Sequence, residues 1–215
     1  MGSSLLTVIE TLNKIKEGII DILIPRKCLG CGREGSYICS ACEIFLSELP
    51  LTGTPGVWEY EGIIERAIHK IKFEGCYDII NELVEKALEK IEFNLPPDMV
   101  ITYVPMWPKK EKERGFNQAE LIARKLSRLL GLAEQPLLVK VRDNRSQVGL
   151  GPKEREENVR GVFRCVIPDV THCKNVLLVD DVYTTGATAR ECVKVLWKAG
   201  VKNVWVFTIA RKLSL

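Results

Sequence analysis

Four apolar residues, Val176 to Val179, run directly into Asp180 and Asp181, then through Val182 and Tyr183 into Thr184, Thr185, Gly186, Ala187 and Thr188. Two adjacent carboxylates accept hydrogen bonds and repel anions, whereas hydroxyls, a glycine turn and the first amides of a helix donate to anions. The two halves of this stretch therefore face different parts of one ligand: vicinal sugar hydroxyls on the acids, and a phosphate in the Thr–Gly turn. A helix cap and a turn would need one such residue, and this segment has five. The spacing matches neither the three-glycine dinucleotide turn nor the Walker loop, which carries a lysine directly after its last glycine.

A second cluster spans residues 104–123. Lys109, Lys110, Lys112 and Arg114 precede Gly115 and the helix cap Asn117, and a basic loop at a helix N-terminus suits a pyrophosphate. Arg114 is the stronger candidate, because RGFNQ joins it directly to the cap. Glu111 and Glu113 leave open that the lysines, Lys109 among them, only solvate a loop. Residues 142–163 are polar, rich in Gly and Arg, and without periodicity, which reads as a loop lacking internal structure. It is either a lid that folds Arg145, Gln147, Arg155 and Asn158 over a diphosphate, or plain surface.

Cys28-x2-Cys31 and Cys39-x2-Cys42 place four thiolates for a closed tetrahedral site, structural rather than catalytic. The spacing favours zinc over an iron–sulfur cluster, two disulfides or a redox pair. Cys76, Cys165, Cys173 and Cys192 read as small buried residues. His69 lies on the polar side of a helix and His172 in a turn, and neither has a nucleophile pattern around it.

These groups need a scaffold, and the pattern supplies one. The chain has 215 residues, 31 cations against 28 acids, and the apolar content of an ordinary globular protein. Strand patterns at 99–105, 136–142, 162–167, 175–181 and 203–210 alternate with helix patterns at 117–131 and 188–200, preceded by helices over 62–73 and 78–91. That alternation predicts an α/β fold with a mostly parallel sheet, whose ligands bind beyond the carboxyl ends of the strands. Three parts are expected: an amphipathic helix over 1–25, a four-cysteine zinc-ribbon module over 26–50, and an α/β domain over 57–215, with 49–56 as linker. Charges at Glu10, Lys14, Lys16, Glu17 and Asp21 break the first segment, so it is neither a signal peptide nor a membrane span. It packs on the body or a partner, or attaches peripherally to a membrane. Eight cysteines without an export signal suggest a cytoplasmic chain.

VLLVDDVYTTGATA resembles the phosphoribosyl-pyrophosphate signature of type I phosphoribosyltransferases. The four cysteines, IHKIKFEG, VP…RGFNQA, Q-x-x-L…R-x-x-N and LVDDVYTTGAT, in that order, resemble the ComF family of competence-associated proteins over about residues 25 to 212. The resemblance implies a zinc ribbon fused to a phosphoribosyltransferase-like, Rossmann-like domain. It implies that Asp180 and Asp181 hold ribose hydroxyls while Thr184, Thr185, Gly186, Ala187 and Thr188 wrap the 5-phosphate. It also implies a role in natural transformation: handling single-stranded DNA after uptake, with a DNA-translocating helicase as partner, at the inner face of the membrane.

Two functions compete on these residues. In a transferase, Mg²⁺ and cations such as Arg114 and Lys109 stabilise departing pyrophosphate while Asp180 and Asp181 orient the ribose. No C-terminal hood for a base is expected after the last strand, so the four-cysteine module and the two helices after it would have to roof the site. In a nucleic-acid module, Arg26, Lys27, Arg33, Lys70, Lys72 and the 109–114 cations form a basic track. Trp58, Tyr60 and Trp107 would then be its stacking partners.

Overall fold

The computed structural model describes residues 25–50, 55–91, 95–144, 152–166 and 173–213. The expected N-terminal helix, Arg145, Gln147 and His172 therefore lie outside the described residues. The chain separates into two compact units between Leu46 and Ser47.

The first unit is a set of tight turns. Gly32 N–H donates to the Cys28 carbonyl and Cys28 N–H to that of Arg33, which folds the first CxxC back on itself. A short helix, α1 (Ser40–Glu43), starts at Cys39 and carries Cys42.

The second unit is built on a five-stranded sheet in the order β1-β7-β6-β2-β3. β1 is Trp58–Glu59, β2 Met99–Tyr103, β3 Ala133–Glu134, β6 Asn175–Tyr183 and β7 Asn203–Arg211. Every pairing in it is parallel, as the alternation of strand and helix requires. β4 (Leu138–Lys140) and β5 (Phe163–Cys165) stand apart as an antiparallel ribbon. Between the strands lie α2 (Gly62–Glu74), α3 (Ile79–Lys90), α4 (Pro108–Arg114), α5 (Gln118–Leu130), α6 (Pro152–Val159) and α7 (Ala187–Lys198).

β6 is the central strand, and its pleat sorts the core. Val176 and Leu178 join Val100, Leu137, Val162, Cys192 and Leu196 on the α7 side. Side chains alternate along a strand, so Leu177, Val179 and Asp181 point to the opposite face, whereas Asp180 shares the α7 face. α5 packs on β6 and β2, and α3 packs on α5. Two small devices set the angle at which α5 leaves the sheet. Asn117 accepts from Ala119 N–H at 3.0 Å, capping the helix, and donates to the Val104 carbonyl at 3.1 Å, tying it to the end of β2. Gly131 closes α5 in the left-handed region, φ 67°.

Four expectations need correction. The basic stretch 108–114 is a helix, α4, started by Pro108 and stopped by left-handed Gly115; it buries no residue, so no apolar stripe announced it. Residues 152–159 also form a helix, α6, within the stretch expected to be unstructured. Only Val159 on it is apolar, and Val159 and Val162 are both buried. Trp58 cannot stack on a ligand, because it is fully buried in β1. Finally, Cys173 and Cys192 are buried as expected, but Cys76 and Cys165 are half-exposed.

Candidate functional site

Parallel pairing with β7 carries β6 past the acid pair to Tyr183, opposite Arg211. The two carboxylates thus sit inside a strand rather than in a loop, and although the pleat starts them on different faces they remain close enough to interact and line one cleft. Asp181 is buried, 7% exposed, and its polar groups are matched from three elements. Lys72 Nζ of α2 lies 2.5 Å from Oδ2, Gln118 Nε2 of α5 donates to Oδ2 at 3.3 Å, and Val182 N–H donates to Oδ1 at 2.8 Å. Gln118 in turn accepts from Arg114 Nη1 at 2.7 Å. A continuous polar chain therefore runs Arg114–Gln118–Asp181–Lys72 across the helical face of the sheet.

Asp180 is treated differently. Its Oδ1 accepts from Asp181 N–H at 2.9 Å. Burial, and then the neighbouring Asp181 charge, push its carboxyl well above the ordinary range. For Asp181 burial acts the same way, but the Lys72 ammonium outweighs it and holds that carboxyl below its ordinary value. The pair is thus split into one ionised acceptor and one carboxyl that resists ionisation.

After Tyr183 the chain turns through Thr184 and Thr185 to Gly186, which has φ 74° and starts α7. A side chain there would be strained by the left-handed backbone and would run into the Tyr183 ring. The turn is braced by Arg190, whose guanidinium donates to the Thr185 carbonyl at 2.7 Å. Asp180, Asp181, Val182, Tyr183, Thr184, Gly186, Thr188 and Ala189 line a cleft of ≈ 220 Å³, together with Lys72 and Thr208. Carboxylates, hydroxyls and a helix start share its lining and give it both acceptors and donors.

Of the residues named from sequence, Asp180, Asp181, Thr184, Gly186 and Thr188 meet in this cleft. Thr185 and Ala187 belong to the same turn, Ala187 N–H donating to Thr185 Oγ1 at 3.4 Å. Arg114 reaches the acids only through Gln118. Lys109 is exposed on α4 and does not line the cleft. Asn158 is half-buried on α6, which packs against α7; Arg155 lies on the same helix. Sequence reasoning missed Lys72 and Gln118 as parts of the site. The sequence places Lys72 with Lys70 in a basic track for nucleic acid, whereas the structure pairs it with Asp181 in the cleft. Its spacing from Ile68 and Ile71 on the buried face of α2 was the available signal.

The acid pair offers a poor seat for a resident divalent ion, because both Asp181 oxygens are already engaged and one faces an ammonium at 2.5 Å. The four cysteines differ. Their sulfurs all lie within 4.8 Å of one another, with Cys31 and Cys39 Sγ 3.7 Å apart. Tetrahedral thiolate ligands of a metal such as zinc sit about 3.8 Å apart. Gly30 and Cys39 N–H both point to Cys28 Sγ at 3.4 Å. Burial disfavours the Cys28 thiolate, but backbone donors outweigh it and bring the thiol to about 6. Burial and the neighbouring thiols push Cys42 up to about 12. Four thiolates this close cannot all ionise unaided, and a divalent cation removes the conflict. The group could hold a structural metal ion.

A raised carboxyl in the folded state contributes stability below its unfolded value and loses it as pH rises through the folded one. Asp180→Asn, which mimics the protonated acid, should therefore raise the thermal unfolding midpoint at neutral pH. The gain should vanish below the ordinary carboxylate range, about pH 3.9. An absent gain, or one independent of pH, would contradict the assignment of the two carboxyls.

No family model matches the chain. Competence protein F of Haemophilus influenzae is 31% identical over 194 residues, which cover 86% of this chain and 84% of that protein. DNA utilization protein YhgH of Salmonella typhi is 28% identical over 194 residues, with the same shares covered. Among solved structures, the glutamine phosphoribosylpyrophosphate amidotransferase from B. subtilis, complexed with ADP and GMP, matches at 22% identity. That match has a TM-score of 0.38 and covers 60% of this chain and 25% of that one. The fold assignment rests on the parallel strand order and register rather than on that score. With the relationship to competence protein F extending over most of both sequences, the chain belongs to the ComF family.

Proposed function

We propose that this chain binds phosphoribosyl pyrophosphate, or a related phosphate ligand, and acts in natural transformation by handling incoming single-stranded DNA. The observation that carries the first part is the β6–α7 turn. It brings paired carboxylates and a hydroxyl-bearing helix start into the lining of one cleft, which suits a sugar whose hydroxyls and 5-phosphate lie a few ångströms apart. Asp180 and Asp181 take the hydroxyls. Thr184, Thr185, Gly186, Ala187 and Thr188 take the phosphate. Magnesium would arrive with the diphosphate as the ligand's own counter-ion, where it supplies charge neutralisation to the leaving group.

The names of the relatives support the second part, one being a competence protein and the other a DNA utilization protein. So does the distribution of charge. Residues 187–213 carry six cations and one acid, while the rest of the chain is slightly acidic. Trp197 and Trp205 are the exposed tryptophans, and they line a cleft of ≈ 710 Å³ with Arg190 and Lys194. Aromatic faces beside cations bind single strands by stacking and phosphate contact. This surface replaces Trp58 in the stacking role. Zinc is the metal proposed for Cys28, Cys31, Cys39 and Cys42. Among the described residues no helix is long and apolar enough to cross a membrane. The proposed setting is the cytoplasm, at the inner face of the membrane with a DNA-translocating helicase.

A second reading, phosphoribosyl transfer to a base or amine in nucleotide metabolism, uses the same cleft, with Arg114 near the departing pyrophosphate. The half-buried position of Arg114 beside the acid network favours it.

Titration calorimetry with phosphoribosyl pyrophosphate and Mg²⁺ should show binding that Asp180→Asn with Asp181→Asn abolishes. Unchanged affinity in that double variant would refute the ribose assignment, and pyrophosphate release with an acceptor would decide for transfer. Metal analysis of the purified protein should find about one zinc per chain, lost on Cys39→Ser; iron, or no metal, would reject zinc. Oligothymidylate should bind with a steep salt dependence. Trp197→Ala with Trp205→Ala should weaken it by about tenfold or more, and an unaffected double variant would remove this surface from the reading.

A further inference from the structure

Lys72 stands out because nothing about a phosphate cradle requires it. It projects from the last turn of α2, its side chain is 23% exposed, and its ammonium lies 2.5 Å from Asp181 Oδ2. It also lines the cleft alongside Asp180, Thr184, Gly186 and Thr188. Moving an ammonium and a carboxylate out of water is costly, and the pair offsets that cost only where the remaining lone pairs are matched. Here most of them are: Gln118 fills the second site on Oδ2 and the Val182 amide one site on Oδ1, which leaves the other Oδ1 site for a ligand hydroxyl, and Arg114 fixes Gln118.

The consequence for a ligand is electrostatic. A phosphate seated in the Thr–Gly turn lies beside the ionised Asp181 carboxylate, which lines the same cleft and repels it. Divalent cations commonly relieve such repulsion by bridging acid and phosphate. In this chain the position beside Asp181 is already held by a cation that cannot diffuse away. We propose that Lys72 is the resident counter-ion of the cleft, filling the place of a divalent ion, so that a pentose 5-phosphate binds here without metal. The inference rests on the cradle reading above and adds to it the metal requirement and the residue that sets it.

Ribose 5-phosphate is the right probe, since it carries the hydroxyls and the 5-phosphate but no diphosphate to bring its own magnesium. In calorimetry its affinity for the wild-type protein should be the same in EDTA as in Mg²⁺. Lys72→Gln should weaken binding in EDTA by about 10- to 100-fold, and Mg²⁺ should restore part of the loss. Lys72→Arg should keep binding metal-independent. Three results overturn the inference: a wild-type chain that needs Mg²⁺, a Lys72→Gln chain that binds as wild type, or a loss that Mg²⁺ does not relieve. Should Lys72→Gln fail to fold, as thermal unfolding would reveal, the wild-type comparison and Lys72→Arg still decide. A wild-type chain that ignores ribose 5-phosphate in both buffers overturns the cradle reading itself, which separates the two failures.

Discussion

The ion pair between Lys72 and Asp181 joins the edge of a helical layer to the middle of the sheet, and the geometry around it follows from the need to satisfy a buried carboxylate. α2 must end where Lys72 can reach. α5 must start where Gln118 can turn its amide to Oδ2, and Asn117 fixes that start by holding the end of β2 at the same time. Arg114 leaves α4 toward Gln118 rather than toward solvent. Remove the carboxylate, and three side chains from three helices, Lys72, Gln118 and Arg114, lose their common reference.

Much of this was legible in the amino-acid order. The β6 run Val176–Val179, the caps Asn117 and Gly131, and the apolar stripes of α2 and α3 fall where pattern places them, because each is a local signal of periodicity or capping. β1 and β3 were invisible, since two residues such as Trp58–Glu59 or Ala133–Glu134 carry no period and join the sheet through their pairing with β7 and β2. α4 and α6 were missed for a related reason. Charged helices lacking a stripe look like loops until a proline start and a nearby buried residue settle them.

The candidate site divides along the same line. The Thr–Gly turn and the acids are contiguous in sequence, and so were readable. Their distinct roles were not, because alternation along β6 sends adjacent aspartates to opposite faces, and only the fold shows which face holds a lysine. Adjacent residues of one type suggested a symmetric pair; the pleat makes them an unequal one.

β1 closes the sheet through two residues, Trp58 and Glu59, aligned with Ala210 and Arg211 at the far end of β7. Gly56, just before it, lies so close to Arg211 that a Cβ would come within 2.7 Å of that side chain's own Cβ. Until β7 is made, the first strand of this unit has only its neighbouring segment to pair with, through the Glu48–Trp58 bridge and the Glu59 N–H donated to the Ser47 carbonyl. During synthesis, Trp58 and the apolar face of α2 must wait through some 150 intervening residues, a long loop to close before its contacts repay the entropy. Sheet closure is thus a late event set by translation, and the cleft, which needs Lys72 from one end and β6 from the other, matures only with it.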